Sequence, residues 1–399
     1  MTSTTPPVGG VLCAGFGTRM APITDAIPKP LIPFLNSPLL GYALDHLSAA
    51  GVTQVGMNLH HLADSIPPVA DRMAATMNLD PAYAREWEIM GTAGGIRGIW
   101  NALDEPDSTL IIFNGDSVMN IEPLKLLEAH RRSDARVTLL VRRRRPDDPG
   151  GVFVDEEQQS LAGLLDARHP EGIDDPSEYL FCGVHFIEPE LVEEIPLEKG
   201  CIVQDVYMPL LEQGEDINVE ITDDFWAGLD NPRLLFETSR QVLEDPELFD
   251  QVPLPRPHGE DLYIFSSQGI DDKTQMAGPI LTGPHVETAP GVHVGPNAVV
   301  DGVELVEGAA VRDAIVYGMG RVEGTWNRCV AIAGKVANVP CRDDDRAAAD
   351  DGGDDGDDDN VESGDDGDDG VSGDIDGDKE CADDDDDRAA FEEVNSQSS

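Results

Sequence analysis

Four residues in one loop have the types and spacing to hold a polyphosphate. An apolar, strand-like run, residues 9–15 (GGVLCAG), ends in Gly15, and Gly17, Thr18 and Arg19 follow at once. Glycines let backbone N–H groups approach phosphate oxygens closely. A guanidinium can grip two such oxygens with parallel hydrogen bonds. Farther on, Lys29 stands between Pro28 and Pro30, a stiff segment that presents it as a fixed positive charge. Two other phosphate loops are excluded. No G-x-x-x-x-G-K-[ST] string is present, and the third glycine of a dinucleotide fingerprint falls on Met20. GFG alone reads as a glycine-rich turn. GFGTR followed by PKP, after a strand, is much more specific.

The elements that must position these residues alternate in type. Residues 37–50 carry apolar residues at helical spacing, with Ser37 and Pro38 at the start and Gly51 just after. TQVGMNL (53–59), YAREWEI (83–89), TLIIFNG (109–115) and ARVTLLVRR (135–143) read as strands, and residues 93–103 and 122–133 as helices. This predicts an α/β fold, a Rossmann-like, mainly parallel sheet with helices on both faces. Ligands then sit at the carboxyl ends of the strands. From residue 151 the pattern loosens into hairpin-like pieces, and residues 233–245 form an amphipathic helix that can close the domain.

Past residue 274 the texture changes. Val294, Val300 and Val306 recur every six residues, with Ala298 and Ala310 four after the first and third. That period predicts a short left-handed parallel β-helix. From residue 343 the chain is Asp/Gly-rich, cannot bury apolar surface and repels itself, so a disordered acidic tail is expected. The expected divisions are a flexible start at 1–8, a main domain at 9–244, a proline-rich linker at 245–273, the β-helix at 274–341 and the tail at 342–399. A stretch from Asp374 has calcium-loop spacing, but Lys379 stands where that loop needs glycine, so diffuse cation binding is the plainer reading.

The 399 residues carry 27 basic and 78 acidic groups, a formal net charge of -51. Such a charge argues against nucleic acid or an anionic membrane as a partner. No apolar run approaches the ~18 residues of a membrane helix, and the start has no signal-peptide pattern. Six scattered cysteines, Cys13, Cys182, Cys201, Cys329, Cys341 and Cys381, suggest neither a zinc site nor a disulfide framework. Reduced thiols in a cytoplasmic protein are the expectation.

The loop at 11–33 resembles the signature of the sugar-phosphate nucleotidylyltransferases, or NDP-sugar pyrophosphorylases, which share a G-x-G-T-R loop and a P-K motif. Residues 49–66, 86–100 (EWEIMGTAGGIRGIW), 113–121 (FNGDSVMNI) and 178–195 resemble further parts of that family. The likeness is greatest to its mannose-1-phosphate guanylyltransferase and N-acetylmuramate-1-phosphate uridylyltransferase branch. The resemblance implies transfer of a nucleoside monophosphate from an NTP to a sugar 1-phosphate, giving an NDP-sugar and pyrophosphate. It assigns the nucleotide to Leu12, Ala14, Gly15, Gly17, Thr18, Gly91, Thr92 and Gly94, catalysis to Arg19 and Lys29, Mg²⁺ to Asp116, and the sugar to Gly183 and Asp205. Asp205 reads equally well as a carboxylate at a helix start.

One position departs from the family. Relatives carry W-x-D-I-G-T-P, whose aspartate is a second metal ligand. Here WAGLDNP puts Gly228 in that place and Asp230 two residues on, some 6–7 Å away along an extended chain. Asp223, Asp224 or Asp230 could compensate. Without compensation the expected protein is an enzyme with a high magnesium requirement, or an inactive relative that binds NDP-sugar and regulates a partner. A third class, an acyltransferase on the β-helix, has only His285 and His293 to offer. His60-His61 reads as pocket-wall packing and Arg142 to Arg145 as a solvated strand end. Association of copies through the β-helix is a further expectation.

Overall fold

The computed structural model describes residues 5–340 except 105, 147, 173–175, 252, 253 and 260. The tail at 342–399, with its calcium-like spacing, lies outside the described residues. The strands and helices that follow all lie within one compact unit that ends at Asn338.

Strand β1 (Val8–Leu12) is flanked by β2 (Gln54–Leu59) on one side and β4 (Leu110–Asn114) on the other, both parallel to it, and β3 (Asp80–Arg85) runs parallel beyond β2. After β5 (Ser117–Met119) comes β6 (Val137–Arg143), and then β7 (Ser177–Ile187), which lies between β4 and β6 and is antiparallel to both. β8 (Asn218–Thr222) is parallel to β6. The sheet is therefore mixed: β1 to β4, β6 and β8 all run one way, as expected of a mainly parallel sheet, and β7 and a strand of the hairpin pieces run against them. The cause is in the connections. Val152–Asp155 and Ser160–Leu164 are joined by a short turn and pair antiparallel, and so short a link cannot cross over to a parallel neighbour.

Period-two alternation sends side chains to two cores. Leu110 and Ile112 of β4 join Ile96, Ile99 and Trp100 of helix α3 (Gly91–Ala102) on one face. Ile111 and Phe113 join the other face, with Leu40, Leu44 and Leu47 of α1 (Leu39–Ala49) and Ala70 and Ala74 of α2 (Pro67–Met77). Helices thus cover both faces. The segment expected as a linker from residue 245 begins by packing instead: Phe249 is buried against Phe34, Tyr42 and Phe225.

In the C-terminal part, Leu262 pairs in parallel with Ile280, and Ile280 with Ala298, at intervals of eighteen residues, or three hexads. The interval then shortens, with Ala298 beside Ala314 and Ala314 beside Cys329. Val294, Val300 and Ala298 are buried as the hexads require, but Val306 and Ala310 are not in this core. Leu305, Ala309 and Val311 are. The pattern slips by one residue after an irregularity between Asp301 and Val303.

Candidate active site

A cavity of about 350 Å³ opens at the carboxyl ends of β1 and β4. Leu12, Ala14, Gly15, Gly17, Thr18, Arg19, Lys29, Gly91, Thr92, Asp116 and Asp230 all line it. Gly94, Gly183 and Asp205 are not among its lining residues. A side chain at Gly94 would strike the Glu198 carbonyl, and one at Gly183 the Asn114 amide. Asp205 accepts a hydrogen bond from the Cys201 backbone N–H at 2.6 Å, a local loop cap.

The two loop glycines differ in what they require. Gly17 has left-handed geometry, φ 63° and ψ 38°, which side chains disfavour, and a Cβ there would meet Thr24 and Lys29. Gly15 has no neighbouring atom within 4 Å of a would-be Cβ. The fold does not need a glycine at 15; an incoming group in the cavity would.

Lys29 is buried, only 8% exposed, in a short turn held between its two prolines. Its ammonium donates to Asp116 Oδ2 and to Asp230 Oδ1, both at 2.8 Å. Arg19 Nη2 reaches the same Asp230 oxygen at 3.0 Å. A lysine ammonium has three donors, so one remains for a ligand. Asp116 and Asp230 each lie one hydrogen bond from the same nitrogen.

Backbone pairing puts Asp230 there. β9 (Trp226–Gly228) lies antiparallel to β5, with Gly228 opposite Ser117. The Leu229 N–H then donates to the Asp116 carbonyl at 3.0 Å. Asn231 caps the next helix, Pro232–Glu244, its side chain accepting from the Leu234 N–H at 2.9 Å. Asp230 is thus pinned between a strand and a helix start. A Cβ at Gly228 would stand 3.7 Å from Asp230 Oδ2, so Asp230 projects into the space beside Gly228. Asp223 and Asp224 are exposed and do not line the cavity.

Asn58 and Glu86 also line the cavity and were not singled out from the sequence. Asn58 accepts from the Cys13 N–H at 2.8 Å and donates to Glu86 Oε1 at 2.8 Å, while Glu86 Oε2 accepts from the Met90 N–H at 2.9 Å. This chain ties the glycine loop to the start of α3. The available signal was a polar residue at the carboxyl end of a strand, met by Asn58 in β2 and by Glu86 just after β3.

His60 and His61 flank the Phe16 ring and bond the Glu86 and Thr24 carbonyls, as expected for wall packing. Of the arginine run, Arg143 and Arg144 pair with Glu156 and Glu178 near the surface. Arg142 differs from the solvated reading. It is buried, paired with Asp148 at 2.8 Å and set 4.9 Å from the Trp226 ring centroid.

Residues 8–244 match the nucleotidyl transferase family, and the chain belongs to that family. Among relatives, it is 26% identical over 307 residues to a mannose-1-phosphate guanylyltransferase of Mycobacterium tuberculosis, covering 75% of this chain and 82% of that protein. It is 27% identical over 337 residues to a glucose-1-phosphate thymidylyltransferase of Streptomyces antibioticus, covering 79% and 90%. Among solved structures, HddC from Yersinia pseudotuberculosis aligns with TM-score 0.46 and 19% identity, over 59% of this chain and 98% of that one. Among the described residues, no helix is long and apolar enough to cross a membrane.

Proposed function

We propose that the protein transfers a nucleoside monophosphate from an NTP to a sugar 1-phosphate, releasing pyrophosphate. The observation that carries this reading is the convergence of Gly15, Gly17, Arg19, Lys29, Asp116 and Asp230 on one cavity, in a chain of the nucleotidyl transferase family. A sugar-phosphate oxygen attacks the α-phosphorus. The new P–O bond forms as the α–β anhydride bond breaks, and pyrophosphate leaves with the electron pair. The attacking oxygen is already an anion, so no general base is needed. What opposes the reaction is repulsion between anions, and catalysis is positioning plus charge neutralisation. Lys29, buried and held by prolines, supplies a fixed charge beside the glycine loop. Arg19, with its side chain 65% exposed, can close on the phosphates from the cavity mouth.

The residues present fit a magnesium ion. No group of three acid, histidine or cysteine ligands occurs among the described residues. Mg²⁺, however, commonly takes one or two carboxylates and completes its shell with phosphate and water. Asp116 and Asp230 would hold it, and it would neutralise charge on the phosphate oxygens. The reading as an inactive regulator depended on Gly228 leaving one carboxylate short, and the placement of Asp230 favours the enzyme instead. The eighteen-residue parallel rungs support a left-handed β-helix as the C-terminal element and a surface for self-association. An NTP-consuming reaction suits the cytoplasm. The test is pyrophosphate release from a matrix of GTP, UTP and dTTP against mannose, glucose and N-acetylglucosamine 1-phosphates, with Mg²⁺. No release in any pair would refute the proposal.

A further inference from the structure

Asp230 does more in this arrangement than stand beside Asp116. One of its oxygens meets both cations proposed to bind phosphate, Lys29 at 2.8 Å and Arg19 at 3.0 Å. The two cations come from opposite ends of the phosphate-loop segment, and Asp230 comes from a separate part of the chain. A triphosphate entering the cavity needs the same guanidinium and ammonium. The carboxylate therefore occupies the place of a phosphate oxygen.

We propose that Asp230 is an electrostatic latch, which holds Arg19 and Lys29 while the cavity is empty and lets go of them when a divalent cation draws its carboxylate away. The inference rests on the nucleotidyl-transfer reading above. It adds that polyphosphate and metal must arrive together. Without a metal, a polyphosphate has to displace Asp230 from both cations and then lie against a free carboxylate, an unfavourable juxtaposition of like charges. With a metal, the carboxylate has a new partner and both cations are free. Binding of either partner therefore favours binding of the other, and the coupling is reciprocal. Asp230 is here a positioning residue, acting on phosphate through Arg19 and Lys29.

The probe is inorganic tripolyphosphate, which carries no base, titrated calorimetrically into the full-length chain with EDTA or with Mg²⁺. Wild type should bind it weakly in EDTA and well in Mg²⁺. Asp230→Asn and Asp230→Ser should bind it about tenfold more tightly than wild type in EDTA, because two partly exposed ion pairs no longer compete. In Mg²⁺ both should bind it more weakly than wild type. Asp224→Asn removes an equal charge from the exposed turn before β9 and should change neither value. The latch is wrong if the Asp230 variants gain nothing in EDTA while wild type binds in Mg²⁺, or if Asp224→Asn gains as much. If wild type binds no tripolyphosphate even in Mg²⁺, the proposed function itself fails.

Discussion

Replacing Gly228 with aspartate separates two accounts of the acidic site. If Gly228 leaves a hole in the metal site, the new carboxylate should fill it and tighten magnesium. If Asp230 already fills that role, it should intrude. The structure gives the size of the intrusion. A Cβ at 228 would stand 3.0 Å from Trp226 Cη2 and 3.7 Å from Asp230 Oδ2. Trp226 has little freedom to retreat, since its Nε1–H donates to the Cys182 carbonyl at 2.9 Å and Arg142 lies over its ring. Relieving that contact costs about 1 kcal/mol. At roughly 5 Å from Asp230, the new charge adds about 1–3 kcal/mol of repulsion, for effective dielectric constants between water and a protein surface. Lys29 between the carboxylates offsets part of this. In EDTA, a melting temperature lower by about 4–8 °C follows for a domain of this size. The assay is thermal unfolding with and without Mg²⁺, alongside rate against Mg²⁺ concentration. The variant should melt lower in EDTA, recover partly with Mg²⁺, and need no less Mg²⁺ for half-maximal rate. Adding Asp230→Gly should remove the repulsion between the two carboxylates and recover that part of the melting temperature, leaving the smaller loss from the Trp226 contact. An unchanged melting temperature with a several-fold lower Mg²⁺ requirement would refute the reasoning and make Gly228 a real vacancy.

Arg19→Ala and Lys29→Ala should each lower turnover by about a hundredfold or more. They should differ in stability: exposed Arg19 contributes almost nothing, whereas loss of Lys29 leaves Asp116 and Asp230 without their shared cation, so equal melting temperatures would count against the shared pairing. Burial pushes the His185 imidazole down to about 3, and its Nδ1 lies 2.7 Å from the Tyr207 hydroxyl. The unfolded chain takes up this proton below about pH 6.5 and the folded chain does not, so stability should fall by about 1.4 kcal/mol per pH unit from there toward pH 3. Urea unfolding at pH 7, 6 and 5 should show a shallower fall for His185→Gln, and equal slopes would contradict it. With a formal net charge of -51, the melting temperature should rise as KCl goes from about 0.1 to 2 M through screening of self-repulsion; a flat response would mean that the charges are already compensated.

The parts of the site written in one short stretch were legible in the sequence. Gly15, Gly17, Arg19 and Lys29 share a single loop, and Asp116 follows a clear apolar strand. Asp230 was harder to place. Its position depends on β9 pairing with β5 and on the Leu229 to Asp116 backbone bond, contacts between segments far apart in the chain. The link from Asn58 to Glu86 was missed for the same reason. Gly94 and Gly183 were read as sites of ligand approach, but the structure sets them against the chain's own atoms. The hexad pattern pointed to stacked parallel strands, yet one slipped residue moved Val306 and Ala310 out of the core they were expected to fill. Strand direction in the second half of the sheet was obscured because hairpin links leave a weaker periodic trace than long helices.

The last described strand, Lys335–Asn338, lies against the short turn Ile23–Asp25, where Lys335 Nζ comes within 3.7 Å of Asp25 Oδ2. Thr325–Ile332 packs on the helix that follows Asp230. Segments beside two of the loops that carry charged residues of the cavity are therefore contacted by chain made some three hundred residues after the first of them. On a ribosome, which builds the chain from N-terminus to C-terminus, the phosphate loop emerges early, long before the strands that come to rest against its neighbour. A nascent chain ending near residue 244 would span the whole family match and still lack the contacts on Ile23–Asp25 and on the helix after Asp230. The contacts that the C-terminal strands make with these two segments are thus among the last to form in synthesis, after the whole of the sheet they rest against has been made.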